Sequence, residues 1–209
     1  MSNQFGVTYH SIHGAVTESN HVFIQAGLEH LSRHPSISIF EVGFGTGLNA
    51  LLSYQYAVKH GRSIQYLTVE KFPLPIDIVE QLQYPEFLGH EKDVPIFYDM
   101  HQKDHMEITG IGFHFTLEKI FNDIEKLQVI PFGQHLIYFD AFAPNSQEEL
   151  WTPKILQKCF QALYSGGVLV TYCAKGQLRR DLIAIGFQVE RLPGPPRKRE
   201  MLRATKPIQ

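Results

Sequence analysis

Seven consecutive residues carry the first chemical signal: Glu41-Val42-Gly43-Phe44-Gly45-Thr46-Gly47, an E-x-G-x-G-x-G run. Glycine lets a backbone turn tightly and approach a ligand with no β-carbon in the way. A dinucleotide fingerprint would read G-x-G-x-x-G, whereas here the third glycine comes one residue early. This spacing suits an adenosyl amino acid better than a pyrophosphate. Its cradle would be Glu41, Gly43, Phe44, Gly45, Gly47, Leu48 and Asn49, with the later strand-end acid Asp140 against the same cofactor. A bare strand-to-helix turn is the competing reading. Glu70 closes the next apolar stretch, 27 residues after Gly43, and Lys71 follows it. A carboxylate there can accept both hydroxyls of a ribose; a surface acid at a strand end is the alternative. Asp140 ends a further apolar stretch and heads Asp140-Ala141-Phe142-Ala143-Pro144. An acid at a pocket mouth, followed by Phe and Pro, can hold an amine while the loop covers it. A helix N-cap aspartate is the alternative.

The elements that must position these residues follow from the apolar periodicity. Ser36–Val42 reads as a central strand running straight into the glycines, and Leu48–His60 has helical spacing that ends before Gly61. Strands are expected over 64–70, 106–109, 113–117, 135–140 and 168–173, with a final hairpin of 187–191 and 199–204. Helices are expected over 74–83, 119–127, 148–164 and Gly176–Ile185, with Pro73 and Pro75 fitting the first turn of the 74–83 helix. The stretch 84–112, rich in His, Asp and Lys, reads as an insertion-like middle region, and 1–35 as an N-terminal segment. Alternating strands and helices predict an α/β fold. It would be a mostly parallel seven-stranded sheet with a C-terminal antiparallel hairpin and helices on both faces. That is the layout of Rossmann-like methyltransferases, and ligands in such sheets bind at the C-terminal strand ends.

Composition narrows the setting. A chain of 209 residues, 44% hydrophobic and 19% charged, suits one compact domain and excludes a mostly disordered chain. It has no uninterrupted run of apolar residues long enough to cross a bilayer. Residues 1–9 have no basic and apolar leader pattern, and Cys159 and Cys173 cannot build a disulfide framework or a four-thiolate zinc site. A soluble cytoplasmic protein is expected. The net charge of −2 hides an asymmetry: residues 1–152 hold 8 Lys/Arg against 18 Asp/Glu, and 153–209 hold 11 against 3. A basic face meeting a polyanion would follow, with Lys175, Arg179, Arg180, Arg197, Lys198, Arg199 and Arg203 as phosphate contacts. The competing reading is a surface whose charges mix in three dimensions. His101 and His105, and His10 and His13, are close pairs without an evident third ligand, so no metal is expected.

Four stretches together resemble one family. They are 9–23 (YHSIHGAVTESNHVF), 40–51 (FEVGFGTGLNAL), 140–151 (DAFAPNSQEELW) and 197–202 (RKREML). In this order they are similar to the methyltransferase domain of the MnmC family, which makes 5-methylaminomethyl-2-thiouridine in tRNA, and the likeness runs from about 5 to 204. The resemblance implies S-adenosylmethionine as methyl donor and a wobble uridine carrying an aminomethyl group as acceptor. On this reading Asp140 binds and orients the amine, Tyr9, Glu18 and His21 close over the cofactor, and Phe142, Ala143, Pro144 and Trp151 line the base site, with ordinary core packing the favoured reading of Trp151. Where the family shows Gly-Asp at the strand end before Lys119, this chain has Leu117-Glu118-Lys119, so the adenine contact falls to Glu118 or to a backbone group. Pro195-Pro196 stands where the family has a Phe-Gly type of segment. The family's best-known members carry a fused FAD-dependent oxidase. This chain has no second dinucleotide fingerprint and no room for that oxidase, so a stand-alone methyltransferase with a separate upstream enzyme is expected. The competing functions are a methyltransferase for a small amine or a protein, an aminopropyl transferase, and a binding module without catalysis.

Overall fold

A computed structural model describes residues 12–208. Its axis is β1 (Ser36–Val42), buried throughout its second half. β1 pairs in parallel with β2 (Ser63–Glu70) on one side and β5 (Gln134–Phe139) on the other. β4 (Phe113–Phe121) extends the sheet from β2 and β6 (Leu163–Thr171) extends it from β5, again in parallel. β8 (Glu200–Thr205) runs antiparallel to β6, and β7 (Gln188–Pro193) antiparallel to β8. At the opposite edge β3 (His105–Gly110) forms a hairpin with β4. The order is β3-β4-β2-β1-β5-β6-β8-β7, eight strands in one sheet where seven were expected, the strand expected over 106–109 taking its place as the edge strand β3.

Strand parity divides the core in two. Ile37 and Ile39 of β1, Tyr66 of β2, Phe115 of β4 and Tyr138 of β5 face α2 (Leu48–His60) and the N-terminal helix. Phe40, Val42, Ile137 and Phe139 face α6 (Pro153–Ala162) and α7 (Gly176–Ile185). Alternation then sends Glu41, Glu70 and Asp140 to the α2 side, which is what lets them meet.

The N-terminal stretch is one helical rod: α1 (Ile12–Ser19), a π-wound run Asn20–Leu28 and a 3-10 turn Glu29–Leu31. Glu29 N–H donates to the Ile24 carbonyl, the i−5 bond of a π-helix. Val22, Phe23 and Leu28 are buried, and the Phe23 ring lies 5.1 Å from that of Tyr138. The rod is a core element, where the sequence suggested a segment closing over the cofactor. Tyr9 and His10 lie outside the described residues.

Three expected helices change. The 74–83 pattern yields only the short α3 (Ile76–Val79), because Gln83 takes a left-handed conformation (φ 50) and Pro85 starts the next turn, α4 (Tyr84–Phe87). No helix forms over 119–127: β4 continues to Phe121, paired with Glu70. Lys119 breaks the hydrophobic pattern but is buried in the strand, its ammonium turned onto the His101 carbonyl at 2.6 Å. The 148–164 helix begins only at Pro153, after a 3-10 turn Glu148–Trp151, and gives way to β6 at Leu163. Ser165-Gly166-Gly167 therefore lies inside a strand. The middle region contributes α5 (Val94–Gln102) and β3.

Candidate active site

The glycine run leaves β1 at Val42 and opens α2, whose first N–H groups have no acceptor within the helix. Gly47 is its left-handed N-cap (φ 72), and its N–H donates to the Phe44 carbonyl at 2.9 Å. A β-carbon on Gly47 would fall 2.7 Å from His101 Nε2, so glycine is required there twice over. His101 comes from the end of α5 and hydrogen-bonds the Thr46 carbonyl at 3.2 Å. Its ring meets Phe44 and Phe97 edge-on, each at 5.0 Å. Burial lowers His101 to a pKa of about 4, against the opposing pull of the Thr46 carbonyl, and the Lys119 charge lowers it further. At neutral pH the imidazole is uncharged and donates from Nε2. Lys119 lies 5.5 Å from the centre of the Phe44 ring and 5.1 Å from that of Phe121. The middle region thus seats the glycine bend from beneath, a role that no sequence motif announced.

Glu70 reaches the same bend. One carboxylate oxygen accepts the Gly45 N–H at 2.9 Å and the other accepts the Phe72 N–H at 2.7 Å. Lys71 turns to Asp123, 2.6 Å away, just beyond the end of β4. Burial opposes the charge on Asp123, but Lys71 and the Glu125 N–H outweigh it and the pKa falls. Asp123 is the strand-end acid that Glu118 was expected to be. Glu118 lies within β4 with parity opposite to Lys119, so it faces the other side of the sheet. There it lines a groove of about 420 Å³ with Gln65, Thr116 and Tyr164, away from the glycines. β4 runs on to Phe121 where the sequence suggested an end at Leu117, so Asn122-Asp123 holds the strand-end position.

Asn49 links the two remaining acids. Its Nδ2 donates to Glu41 Oε1 at 3.0 Å and to Asp140 Oδ2 at 2.8 Å. Glu41 is 1% exposed. Burial and then the neighbouring Asp140 charge raise its pKa well above the ordinary carboxylate value, which favours the protonated form. Asp140 stands at the end of β5, enclosed by protein yet partly open to the cleft. Burial pushes it up to about 7; the Asn49 hydrogen bond and the Lys198 charge oppose this, and Glu18 adds to it.

The Asp140–Pro144 loop is braced from below. Trp151 is 7% exposed, packs 4.9 Å from Phe139 and donates its indole N–H to the Phe142 carbonyl at 2.8 Å. It belongs to the core beneath the loop and offers no face to a base. Phe142 and Pro144 are half-buried and Ala143 is exposed. Tyr172, absent from the sequence reading, donates its hydroxyl to the Ala141 carbonyl at 2.8 Å. It is the aromatic just past the end of β6, which is the position that could have flagged it.

The basic residues separate into two groups. Arg180, Arg197 and Arg199 are exposed, and Lys175 holds the Asn145 side chain. Arg203 is held by Glu190 at 2.9 Å, and Lys198 by Glu18 at 2.8 Å, so neither stands ready for phosphate. His21 donates to the Pro193 carbonyl at 2.8 Å, tying the rod to the same hairpin loop. His101 and His105 fall on α5 and β3 and do not share a helix. Among the described residues no His/Cys/Asp/Glu group has the form of a metal site.

The corner fits an adenosyl amino acid. The space in front of Gly45 is open, with no atom within 4 Å of where a β-carbon would stand. Asn49 Oδ1 is a buried polar atom without a protein partner among the described residues.

A family profile described as S-adenosyl-L-methionine-dependent methyltransferase matches residues 91–207. The tRNA 5-methylaminomethyl-2-thiouridine biosynthesis bifunctional protein MnmC of Pseudomonas putida is 28% identical over 212 residues. Its counterpart in Idiomarina loihiensis is 31% identical over 224 residues. The alignments take in 96% and 97% of this chain but 32% and 36% of those proteins, so the chain spans about a third of their length. The crystal structure of MNMC2 from Aquifex aeolicus superposes with a TM-score of 0.71 at 25% identity, covering 98% of this chain and 67% of that one. A possible exported protein from Bordetella parapertussis shares the fold at a TM-score of 0.53 and 15% identity. The likeness read from the four motifs is met on both counts, and with more than half of its residues inside that profile the chain belongs to the S-adenosyl-L-methionine-dependent methyltransferase family.

Proposed function

We propose that this chain methylates a primary amine carried by tRNA: the aminomethyl group of a modified wobble uridine, giving the methylaminomethyl base. The MnmC relatives, named for biosynthesis of 5-methylaminomethyl-2-thiouridine in tRNA, support this acceptor. The observation that carries it is Asp140, a strand-end carboxyl beside the glycine bend that titrates at about 7. S-adenosylmethionine, when bound, supplies a methyl group already activated by its sulfonium. Gly43, Gly45, Gly47, Leu48 and Asn49 would hold it, with Glu70 at the ribose and Lys71 and Asp123 near the adenine end.

The chain's own work is positioning and proton handling. An alkyl ammonium has no lone pair and must lose a proton before it can attack. As a carboxylate, Asp140 accepts a hydrogen bond from the amine and aligns it, and it then takes the departing proton. An ordinary aspartate is too weak a base for this. Burial brings Asp140 closer to the amine in basicity. Asn49 keeps the carboxylate oriented. Outside the cleft, Lys175, Arg179, Arg180, Arg197 and Arg199 would hold phosphates and bring the wobble base to Asp140. The acceptor must come from an earlier enzyme that leaves a free aminomethyl group, and the expected setting is the cytoplasm.

The test is nucleoside mass spectrometry after incubating the protein with S-adenosylmethionine and tRNA bearing the unmethylated aminomethyl base. Gain of one methyl on that nucleoside is expected, with free benzylamine a poor substrate. Efficient methylation of free amines, with the tRNA untouched, would move the protein to small-molecule chemistry.

A further inference from the structure

A second cluster beside Asp140 is drawn from three distant stretches: Glu18 on α1, Tyr172 after β6, and Lys198 in the loop between β7 and β8. Lys198 Nζ lies 2.8 Å from Glu18 Oε1 and 3.9 Å from the centre of the Tyr172 ring. That ring is fixed, since its hydroxyl donates to Ala141 and its edge packs against Trp151 at 6.3 Å. Asp140 is close enough to feel both the Glu18 and the Lys198 charges. The result is a primary ammonium on an aromatic face, paired with the Glu18 carboxylate and within electrostatic reach of Asp140. That is the environment a protonated aminomethyl group needs.

We propose that Glu18, Tyr172 and Asp140 form the cage that receives the acceptor's primary ammonium, and that Lys198 is its internal occupant and must swing out before the acceptor enters. This rests on the reading of Asp140 as the acid facing the amine. The lysine is placed to move. It is half-buried, on a long stem, and follows Arg197, the loop residue with a left-handed backbone (φ 74). The exchange also sets specificity. A displaced ammonium that loses Glu18 needs another anion. An acceptor carried on a phosphate backbone supplies one, and a free amine does not. The cage is therefore selective for amines attached to nucleic acid, although nothing in it touches a phosphate while it is closed.

Benzylammonium, a primary ammonium on a flat ring, serves as the probe, and benzyl alcohol as its neutral isostere. Calorimetric titrations at neutral pH compare the wild type, Lys198→Ala, Lys198→Ala with Glu18→Gln, and Lys198→Ala with Asp140→Asn. Thermal unfolding confirms that each variant is folded. Emptying the cage should tighten benzylammonium binding about tenfold and leave benzyl alcohol unaffected. Adding Glu18→Gln should abolish the gain. Equal benzylammonium affinity in the wild type and Lys198→Ala overturns the proposal. A gain that survives Asp140→Asn but not Glu18→Gln keeps the cage of Glu18 and Tyr172 and removes Asp140 as the acid facing the amine.

Discussion

The two sides of the cleft are built from opposite materials. On the glycine side, the bend rests on a neutral imidazole, aromatic edges and a buried lysine whose charge falls on a backbone carbonyl. Around Asp140, three acids, a lysine and two phenol rings crowd together: Glu41, Glu18, Asp140, Lys198, Tyr66 and Tyr172. The first side is made not to change, because a cofactor cradle works by fixed geometry. On the proposed function the second changes protonation and partners, as receiving an amine and taking its proton would require. Rigidity is therefore expected to matter for binding on one side, and charge for turnover on the other.

Substituting the hinge of the rigid side should have the largest effect. Gly47→Ala meets both a left-handed backbone and the His101 ring, and should cost about 2 kcal/mol in chemical denaturation. It should also abolish adenosylmethionine binding in calorimetry. Full binding in that variant would show that the bend is not the cradle. Next comes Glu70→Gln, which keeps the shape but removes the charge beside Gly45. Cofactor affinity should fall about tenfold, as expected for a charge-assisted hydrogen bond, with the pH profile of turnover unmoved. A moved profile would blur the division between the two sides. On the outer rim, Arg197→Ala and Arg199→Ala should each weaken tRNA about threefold and lower the salt slope by about 1. An affinity that ignores salt would remove the rim from the account.

The effects on stability against pH run in opposite directions. His101 is lowered from 6.5 to about 4, so its neutral burial stabilises the fold above pH 6.5, and that stability drains away as pH falls towards 4. Asp140 is raised from 3.8 to about 7, so stability is lost as pH climbs between those values. Melting curves should show His101→Phe flattening the acid limb. Asp140→Asn should melt higher than wild type at pH 8 and match it below pH 3.8. Coincident curves for either variant would show that its group does not bear that charge cost.

The same division decides what was legible in the sequence. The cofactor side is local: Glu41 to Asn49 is one strand end, one turn and one helix start, so spacing alone exposes it. Glu70 and Asp140 close strands that alternate cleanly. The acceptor side joins residues up to 180 positions apart, Glu18 and Lys198, and no local pattern connects them. Lys119 hid the end of β4, since a lysine in an alternating run reads as the polar edge of a helix when its ammonium is in fact folded onto a carbonyl. That misreading put Glu118 in the place of Asp123. Core packing, the favoured reading of Trp151, is what its burial shows.

The central claim is that Asp140 works on the amine and not on the cofactor. It is tested most directly by Asp140→Asn, with adenosylmethionine affinity from calorimetry set beside single-turnover methyl transfer to aminomethyl-bearing tRNA. The account predicts at least a hundredfold loss of transfer, in keeping with loss of a general base, and cofactor affinity within about threefold of wild type. Transfer at the wild-type rate, or a loss of cofactor binding as large as the loss of transfer, would contradict it.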